Sequence, residues 1–395
     1  MLKDGKRNKN GFVNRLISRG FVFCVLMVLL VATMSPIGVA AAAGADEDKL
    51  LVSIKGIVIP SLSPDWEKVA YISWKQNGGD VKVELWLMDI DGSNLKKLDE
   101  WIGYESRCAI QGWHPDGKKI LYWIHNRDVT SNKEDPRMEL WVVNSDGTGK
   151  KRIAEDAGGA IWSPDGSKIA FQTIREGICV VNSDDSNKKL ITSGMLLSWS
   201  PDSKRIIFGN YEGIREIDVE SGVENVLNAT ISTEYISISP DASKIVYYHH
   251  TYRPYGIYVS NIDGSDLKQL TYNEYDFPCC WSPDSKRIVF ISGEKGTIRE
   301  GIWVMNFDGS DQKKIAKRGY KELVSGGFSV FGSKDGSKIA YAIWENETTN
   351  IYTINVDKPS LVKPPTEKQP GITGFEVIFA IAGILVMAYL LRRKE

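Results

Sequence analysis

The chain has 395 residues, of which 42% are hydrophobic and 25% charged, so it is long enough to bury a large core. Residues 44–371, which exclude the two charged ends, hold 40 basic and 47 acidic residues, and this acidic body argues against nucleic-acid binding. Five cysteines in a chain of this length exclude a small scaffold stapled by disulfides.

Residues 1–43 are typical of a secretory signal peptide. Six basic residues precede an apolar run from Phe21 to Met34, and a stretch of small residues follows from Val39 to Ala45. This order predicts cleavage near Ala41 or Ala43. The alternative is an uncleaved anchor, although the apolar run is short for a helix that spans a membrane.

Residues 44–357 contain seven copies of one turn, which has the form Ser-Pro-Asp in most copies. The aspartates of these turns lie 51, 49, 37, 39, 43 and 51 residues apart, and a period near 45 with strand-like content is typical of propeller blades. The aspartates are Asp65, Asp116, Asp165, Asp202, Asp241, Asp284 and Asp335.

Each copy predicts four short strands. The first often ends in Trp before the turn, and the second alternates polar and apolar residues, as in "KRIVFI". The third is a ten-residue phrase such as "GIWVMNFDGS", whose sixth residue is always Asp or Asn and opens a hairpin turn. A short fourth strand such as "KKIA" follows. The sequence therefore predicts an all-β fold, a seven-bladed β-propeller with four antiparallel strands in each blade.

The seventh repeat ends at Val356-Asp357 without a clear fourth strand. Residues 50–54, which precede the first turn, have the composition of a spare strand, and we expect them to complete blade seven and close the ring. The competing interpretation places residues 360–362 in that position.

The repeats resemble the TolB-like family of WD-type propellers, whose units carry "WSPDG…IAF…IYVMDADGS…LT". The resemblance covers about residues 50–357, and two blades depart from it in strand three. Blade three has Cys179 at the aromatic position, and blade four has Arg215-Glu216 in place of the aromatic-aliphatic pair. Membership in this family implies a binding platform, a gate on a peptidase or, occasionally, an enzyme.

The C-terminus predicts a stalk and an anchor. Residues 358–371 contain four prolines and form a stiff polar stalk. Residues 372–395 hold an apolar transmembrane segment from Phe375 to Leu391, which Arg392, Arg393 and Lys394 follow. Because basic residues stay on the cytoplasmic side, the propeller is expected outside the cell.

This tail resembles the PGF-CTERM sorting signal of archaea. The matching features are Pro370-Gly371, Gly374-Phe375-Glu376, the apolar helix and the terminal arginine pair, although Ile372, Thr373 and Gly374 separate the Pro-Gly pair from the Phe. The resemblance implies that the tail is cut and replaced by a lipid. Without that cut, the helix itself is the anchor.

The strand order predicts where a binding site lies. The turns between strands one and two and between strands three and four share one face, which we call the turn face. The other connections share the variable face, and function on repeat scaffolds usually occupies such variable loops. Aromatic residues interleaved with charges suit a peptide or sugar there, although some of them are expected only to cap strands. The candidate binding residues are Trp101, Tyr104, Trp123, His125, His249, Tyr252, Arg253, Tyr255, Tyr272, Tyr275 and Phe277.

No catalytic, metal or cofactor site is predicted. His114 lies in a turn on the face opposite the other three histidines, which disfavours a three-histidine metal site. The chain has no Gly-x-Ser-x-Gly elbow of the kind that peptidases with propeller gates carry. Asn228 and Asn346 begin glycosylation sequons. The disulfide state of Cys108, Cys179, Cys279 and Cys280 stays open at this point.

Together these features predict a non-catalytic, membrane-anchored propeller on the cell surface. It is expected to bind a protein, peptide or glycan of the cell envelope, with the membrane contacted through the C-terminal helix or a lipid. The alternatives are a polysaccharide lyase or hydrolase that uses the variable face, and a structural component of the envelope.

Overall fold

The computed structural model describes residues 49–56, 58–77, 80–127, 137–173, 175–229, 236–249, 255–293, 301–316, 330–333 and 335–356. The predicted signal peptide, proline-rich stalk and transmembrane segment therefore lie outside the described residues. Within the described ranges every regular element is a β-strand. No helix in this part of the chain is long and apolar enough to cross a membrane.

The first part of the chain forms one N-terminal strand and then blades one to three. In chain order these strands are β1 (Lys49–Lys55), β2 (Val58–Leu62), β3 (Lys68–Asn77), β4 (Asp80–Asp89), β5 (Lys96–Trp113), β6 (Lys119–Arg127), β7 (Arg137–Asn144), β8 (Lys151–Glu155), β9 (Ala157–Trp162), β10 (Lys168–Thr173), β11 (Ile178–Asn182) and β12 (Lys189–Thr192).

The second part forms blades four to seven. Its strands are β13 (Met195–Trp199), β14 (Arg205–Asn210), β15 (Gly213–Asp218), β16 (Glu224–Asn228), β17 (Ile236–Ile238), β18 (Lys244–His249), β19 (Gly256–Asn261), β20 (Lys268–Gln269), β21 (Asp276–Trp281), β22 (Arg287–Ser292), β23 (Gly301–Asn306), β24 (Lys313–Ala316), β25 (Val330–Gly332), β26 (Lys338–Glu345) and β27 (Thr348–Asn355).

The sheets confirm a seven-bladed propeller of four-stranded antiparallel blades. Blades three to six are separate sheets in which each strand pairs with the next along the chain. Blades one and two are continuous, because β5 serves as the fourth strand of blade one and then as the first strand of blade two.

The ring is closed by β1, as predicted. This strand pairs antiparallel with β27 and supplies the fourth strand of blade seven. The hydroxyl of Thr349 donates to the carbonyl of Gly56 at 2.9 Å and accepts from the backbone N–H of Val58 at 3.1 Å, which fixes the start of blade one. The competing strand at residues 360–362 lies outside the described residues.

The core lies in the grooves between successive blades. In five of the seven blades a side chain from strand two and its cross-strand partner from strand three both pack against the preceding blade. In blades four and five only the strand-two member, Phe208 or Tyr247, belongs to that core. Such cross-strand pairs are a main source of sheet stability. From blade one to blade seven the pairs are Tyr71–Trp86, Tyr122–Trp141, Phe171–Cys179, Phe208–Arg215, Tyr247–Tyr258, Phe290–Trp303 and Tyr341–Tyr352.

Six of the seven turns between strands one and two share the same internal bonding, and in blade two His114 replaces the serine. In blade three the Ser163 hydroxyl donates to an Asp165 carboxylate oxygen at 2.6 Å, and that oxygen accepts the backbone N–H of Ser167 at 2.9 Å. Gly166 follows with a φ of 73°, and an added Cβ would lie 2.3 Å from Nε2 of His114 in the preceding blade. Only glycine therefore fits at this position.

Candidate functional site

The two faces of the ring differ as predicted. The turn between strands one and two has five residues in every blade, and the turn between strands three and four has five or six. On the variable face, the connections range from none, where β5 continues from blade one into blade two, to thirteen residues of sequence between β24 and β25. The irregular connections therefore share one side of the disc.

The turn face uses many of its polar groups to join neighbouring blades. The backbone N–H of Asp165 donates to the Ser203 hydroxyl at 3.1 Å, and that of Asp241 donates in the same way to Ser285 at 3.1 Å. Nε2 of His114 lies 3.1 Å from the carbonyl of Gly166. These contacts assign the turn face mainly to ring assembly.

The variable face presents an aromatic corner between blades five and six. The Tyr248 hydroxyl donates to the carbonyl of Glu274 at 2.6 Å, and the Tyr248 and Phe277 rings meet at 4.5 Å with a 47° tilt. The Tyr275 backbone is fixed by hydrogen bonds with Asn273 and Gly293. This anchored loop holds the Tyr275 side chain 45% exposed.

The two remaining described tyrosines of this region lie on the blade-five side. The carbonyl of Tyr255 accepts a hydrogen bond from Gln269 at 2.9 Å. Tyr272 lies near Tyr258, whose ring stacks on Tyr247 at 5.7 Å. Burial raises the pKa of Tyr247 to about 12, so this hydroxyl stays protonated at neutral pH. The structure thus brings Phe277 and the Tyr275 loop to the corner, while Tyr272 lies beside Tyr258 in blade five.

The predicted residues of blades one and two have packing roles. Trp101 lies 5.6 Å from Tyr122 and packs against the core between these blades, while Trp123 packs against the core between blades two and three. His125 is half-buried on β6. The structure does not bring these residues into the corner at blades five and six.

Four predicted residues have no described side chain. Tyr104 lies on β5 opposite Arg127, and His249 ends β18 opposite Gly256. Tyr252 and Arg253 lie outside the described residues. Their assignment to the binding surface stays a prediction.

The structure shows one further cavity that the sequence analysis missed. It measures about 480 Å³ and lies between blades two and three, with its mouth at the variable face. The nearest sequence signal is Cys179, the small residue where most other blades carry an aromatic ring, although Cys179 itself is buried and does not line the cavity. The lining residues are Arg152, Ile153, Ala154, Glu155, Asp156, Thr173, Arg175, Glu176 and Lys188.

Charged groups surround this cavity. Arg152 is already held by Glu139 at 2.7 Å and by Glu155 at 2.9 Å. Nζ of Lys188 lies 5.2 Å from the centre of the buried Phe171 ring, and among the described residues no carboxylate pairs with it. The lining thus holds three basic and three acidic residues, among which Lys188 is the cation without a carboxylate partner in the described part of the chain.

The histidines and cysteines do not converge in the described ranges. No group of three His, Cys, Asp or Glu side chains there has the spacing to hold a metal ion. Cys108, Cys179, Cys279 and Cys280 are free thiols. Burial raises the pKa of Cys280 to about 12, so this thiol is a poor nucleophile at neutral pH.

The two sequon asparagines differ in accessibility. Asn228 is only 2% exposed and lies under the Gly264 turn of the next blade, a position that disfavours glycan attachment. Asn346 lies in the exposed turn between β26 and β27. Of the two predicted glycosylation sites, Asn346 is therefore the more accessible.

These features define a β-propeller with one structural and one variable face. The family model described as "TolB beta propeller domain" matches residues 31–255, which is more than half of the chain. The chain belongs to this family. The PGF-CTERM motif matches residues 374–394 and marks a C-terminally anchored cell-surface protein.

Curated relatives match only over short segments. The chain is 33% identical over 124 residues to the Tol-Pal system protein TolB of Anaeromyxobacter dehalogenans, a match that covers 30% of this chain and 26% of that protein. It is 22% identical over 183 residues to the uncharacterized peptidase YuxL of Bacillus subtilis, covering 44% of this chain and 26% of that protein. The chain thus spans about a quarter of each of these relatives.

A solved structure supports the fold alone. A chain in the crystal structure of the mitotic checkpoint complex superposes with a TM-score of 0.52 at 13% identity, covering 82% of this chain and 99% of that one. TolB from Acinetobacter baumannii gives a TM-score of 0.41 at 17% identity, covering 72% and 80%.

Proposed function

We propose that this propeller is an extracellular, membrane-anchored, non-catalytic module that binds a protein partner through its variable face. The observation that carries the proposal is the asymmetry of the ring. The turn face is occupied by contacts between blades, whereas the variable face holds connections of unequal length. Binding surfaces on repeat scaffolds usually use such connections.

The aromatic corner supplies the contact chemistry. Tyrosine contributes a large, rigid and amphipathic side chain and is enriched at the energetic centres of protein interfaces. Tyr275 is exposed on a loop whose backbone is already fixed, so binding would order little additional chain. The Tol-Pal name of the TolB relatives also favours a protein partner.

Photocrosslinking with the full-length chain on intact cells tests this proposal. Tyr275 is replaced by a benzoylphenylalanine, and a matched chain carries the same group at Phe307 on the turn face, where exposure is 37%. We expect a discrete, protease-sensitive adduct from position 275 and none from position 307. The same protein should be identified by mass spectrometry in independent preparations.

Two outcomes would overturn the proposal. Equal adducts from both positions would show that the faces do not differ in binding. A protease-resistant adduct that a glycosidase removes would assign the variable face to a glycan instead.

A further inference from the structure

Two neighbouring grooves share one backbone frame and can be compared position by position. The first lies between blades one and two, and the second lies between blades two and three. Asp99 pairs with Leu85 across β4 and β5, and Ala154 pairs in the same way with Leu140 across β7 and β8. Asp99 and Ala154 therefore occupy equivalent places in the two grooves.

The opposite walls of the grooves also correspond. Tyr122 and Phe171 are the strand-two members of the cross-strand pairs of their blades. Lys150 and Lys188 each stand directly before the fourth strand of their blades. Equivalent positions thus carry Asp, Tyr and Lys in the first groove and Ala, Phe and Lys in the second.

In the first groove these three side chains are joined by a hydrogen bond and an ion pair. One oxygen of Asp99 accepts the Tyr122 hydroxyl at 2.8 Å, and the other accepts the Lys150 ammonium at 2.5 Å. The Asp99 side chain is only 8% exposed. The Trp141 ring lies under the same ammonium, with Nζ 4.9 Å from its centre.

In the second groove the lysine is kept and its partners are missing. Ala154 replaces the carboxylate, Phe171 lacks the hydroxyl, and Cys179 stands where the first groove has Trp141. Ala154 and Lys188 line the cavity of about 480 Å³, whereas Phe171 and Cys179 are buried and do not line it. Lys188 lines this cavity and has no carboxylate partner among the described residues.

We propose that this cavity binds a carboxylate carried by an acidic peptide side chain. The ligand carboxylate occupies the place that Asp99 fills in the neighbouring groove and accepts a hydrogen bond from the Lys188 ammonium. Glu155, Asp156 and Glu176 at the mouth accept the N–H groups of the attached peptide. This site is separate from the aromatic corner, so it stands whether or not Tyr275 contacts a partner.

Calorimetric titration of the intact chain in detergent tests the proposal. The probe is N-acetyl-L-glutamate α-amide, and the neutral control is N-acetyl-L-glutamine amide, which has the same shape. We expect one saturable site for the acid and none for the amide. Lys188→Met should weaken binding about tenfold or more, since hydrogen bonds to charged groups are worth at least that factor.

Lys189→Met is the matched control variant. It removes the same charge from the neighbouring position, where Lys189 lies 3.6 Å from Glu220 and outside the cavity, and should leave the affinity unchanged. Absence of saturable binding would overturn the proposal, as would equal affinity in Lys188→Met. Binding of D-glucuronate without binding of the glutamate derivative would overturn the peptide assignment.

Discussion

The groove between blades one and two and the groove between blades two and three have the same strands in the same register, yet one is filled and the other is open. The first is closed by Asp99, Tyr122 and Trp141, while the second has Ala154, Phe171 and Cys179. The backbone frame tolerates both solutions because neighbouring blades still bury aliphatic side chains around them. Smaller side chains at equivalent positions of one groove can therefore open a binding site in a repeat scaffold without a change of the backbone.

The largest effect is expected when the filled groove is opened. Trp141→Cys gives the first groove the residue that the second groove has at the equivalent position. It removes a ring that packs on the core and on Lys150. We expect a loss of about 3 kcal/mol in the free energy of unfolding. The shift of the urea denaturation midpoint measures it, with Cys179→Ala as the matched change of about 1 kcal/mol. Equal shifts in the two variants would contradict the comparison.

A smaller loss is expected from removal of the buried carboxylate. Asp99→Ala leaves the Lys150 ammonium and the Tyr122 hydroxyl without their acceptor, which should cost about 2 kcal/mol. Burial and the nearby Asp99 raise the pKa of Tyr122, so its hydroxyl remains a donor throughout the neutral range.

The control for Asp99 is a more exposed ion pair on the same ring, in which the Asp185 side chain is 26% exposed and that of Lys151 is 53% exposed. Asp185→Ala removes the partner of Lys151 at 3.0 Å and should change the free energy of unfolding by less than about 1 kcal/mol. Denaturation curves of the two variants, recorded side by side, check this. If Asp185→Ala proved as harmful as Asp99→Ala, Asp99 would have no special role in its groove.

The smallest expected effect is on the pH dependence of folding stability. Hydrogen bonds from the Ser333 hydroxyl and the Ser337 backbone lower the pKa of Asp335 from 3.8 to about 2. Its stabilising contribution is therefore complete above pH 4 and is lost as the pH falls toward about 2. Denaturation midpoints measured between pH 5 and pH 2 should fall less steeply in Asp335→Asn than in the unmodified chain. Identical slopes would assign no role to this carboxylate.

Much of the fold was predictable from the sequence because each blade repeats the same local chemistry. The Ser-Pro-Asp turns and the Asp-Gly hairpins fix strand boundaries by contacts within a few residues, as Ser163 and Asp165 show. The spare strand at residues 50–54 was predictable because an incomplete seventh blade needs a partner.

The cavity was harder to predict because its parts come from different repeats. Lys150 meets Asp99 across 51 residues of chain, so the position that faces each lysine belongs to the preceding blade. A β-bulge in strand four, as at Ile153 opposite Leu140 and Trp141, also shifts the facing residues by one position. The candidate residues Trp101 and Trp123 were chosen for their aromatic character, which in this ring serves packing as often as exposure.

The most direct test of the account fills the open groove with the side chains of its neighbour. The double variant Ala154→Asp/Phe171→Tyr places a carboxylate beside Lys188 and a hydroxyl beside that carboxylate, as Asp99 and Tyr122 do for Lys150. We predict that the intact variant loses binding of N-acetyl-L-glutamate α-amide and unfolds at an equal or higher urea concentration. Unchanged binding of this probe by a folded double variant would contradict the account.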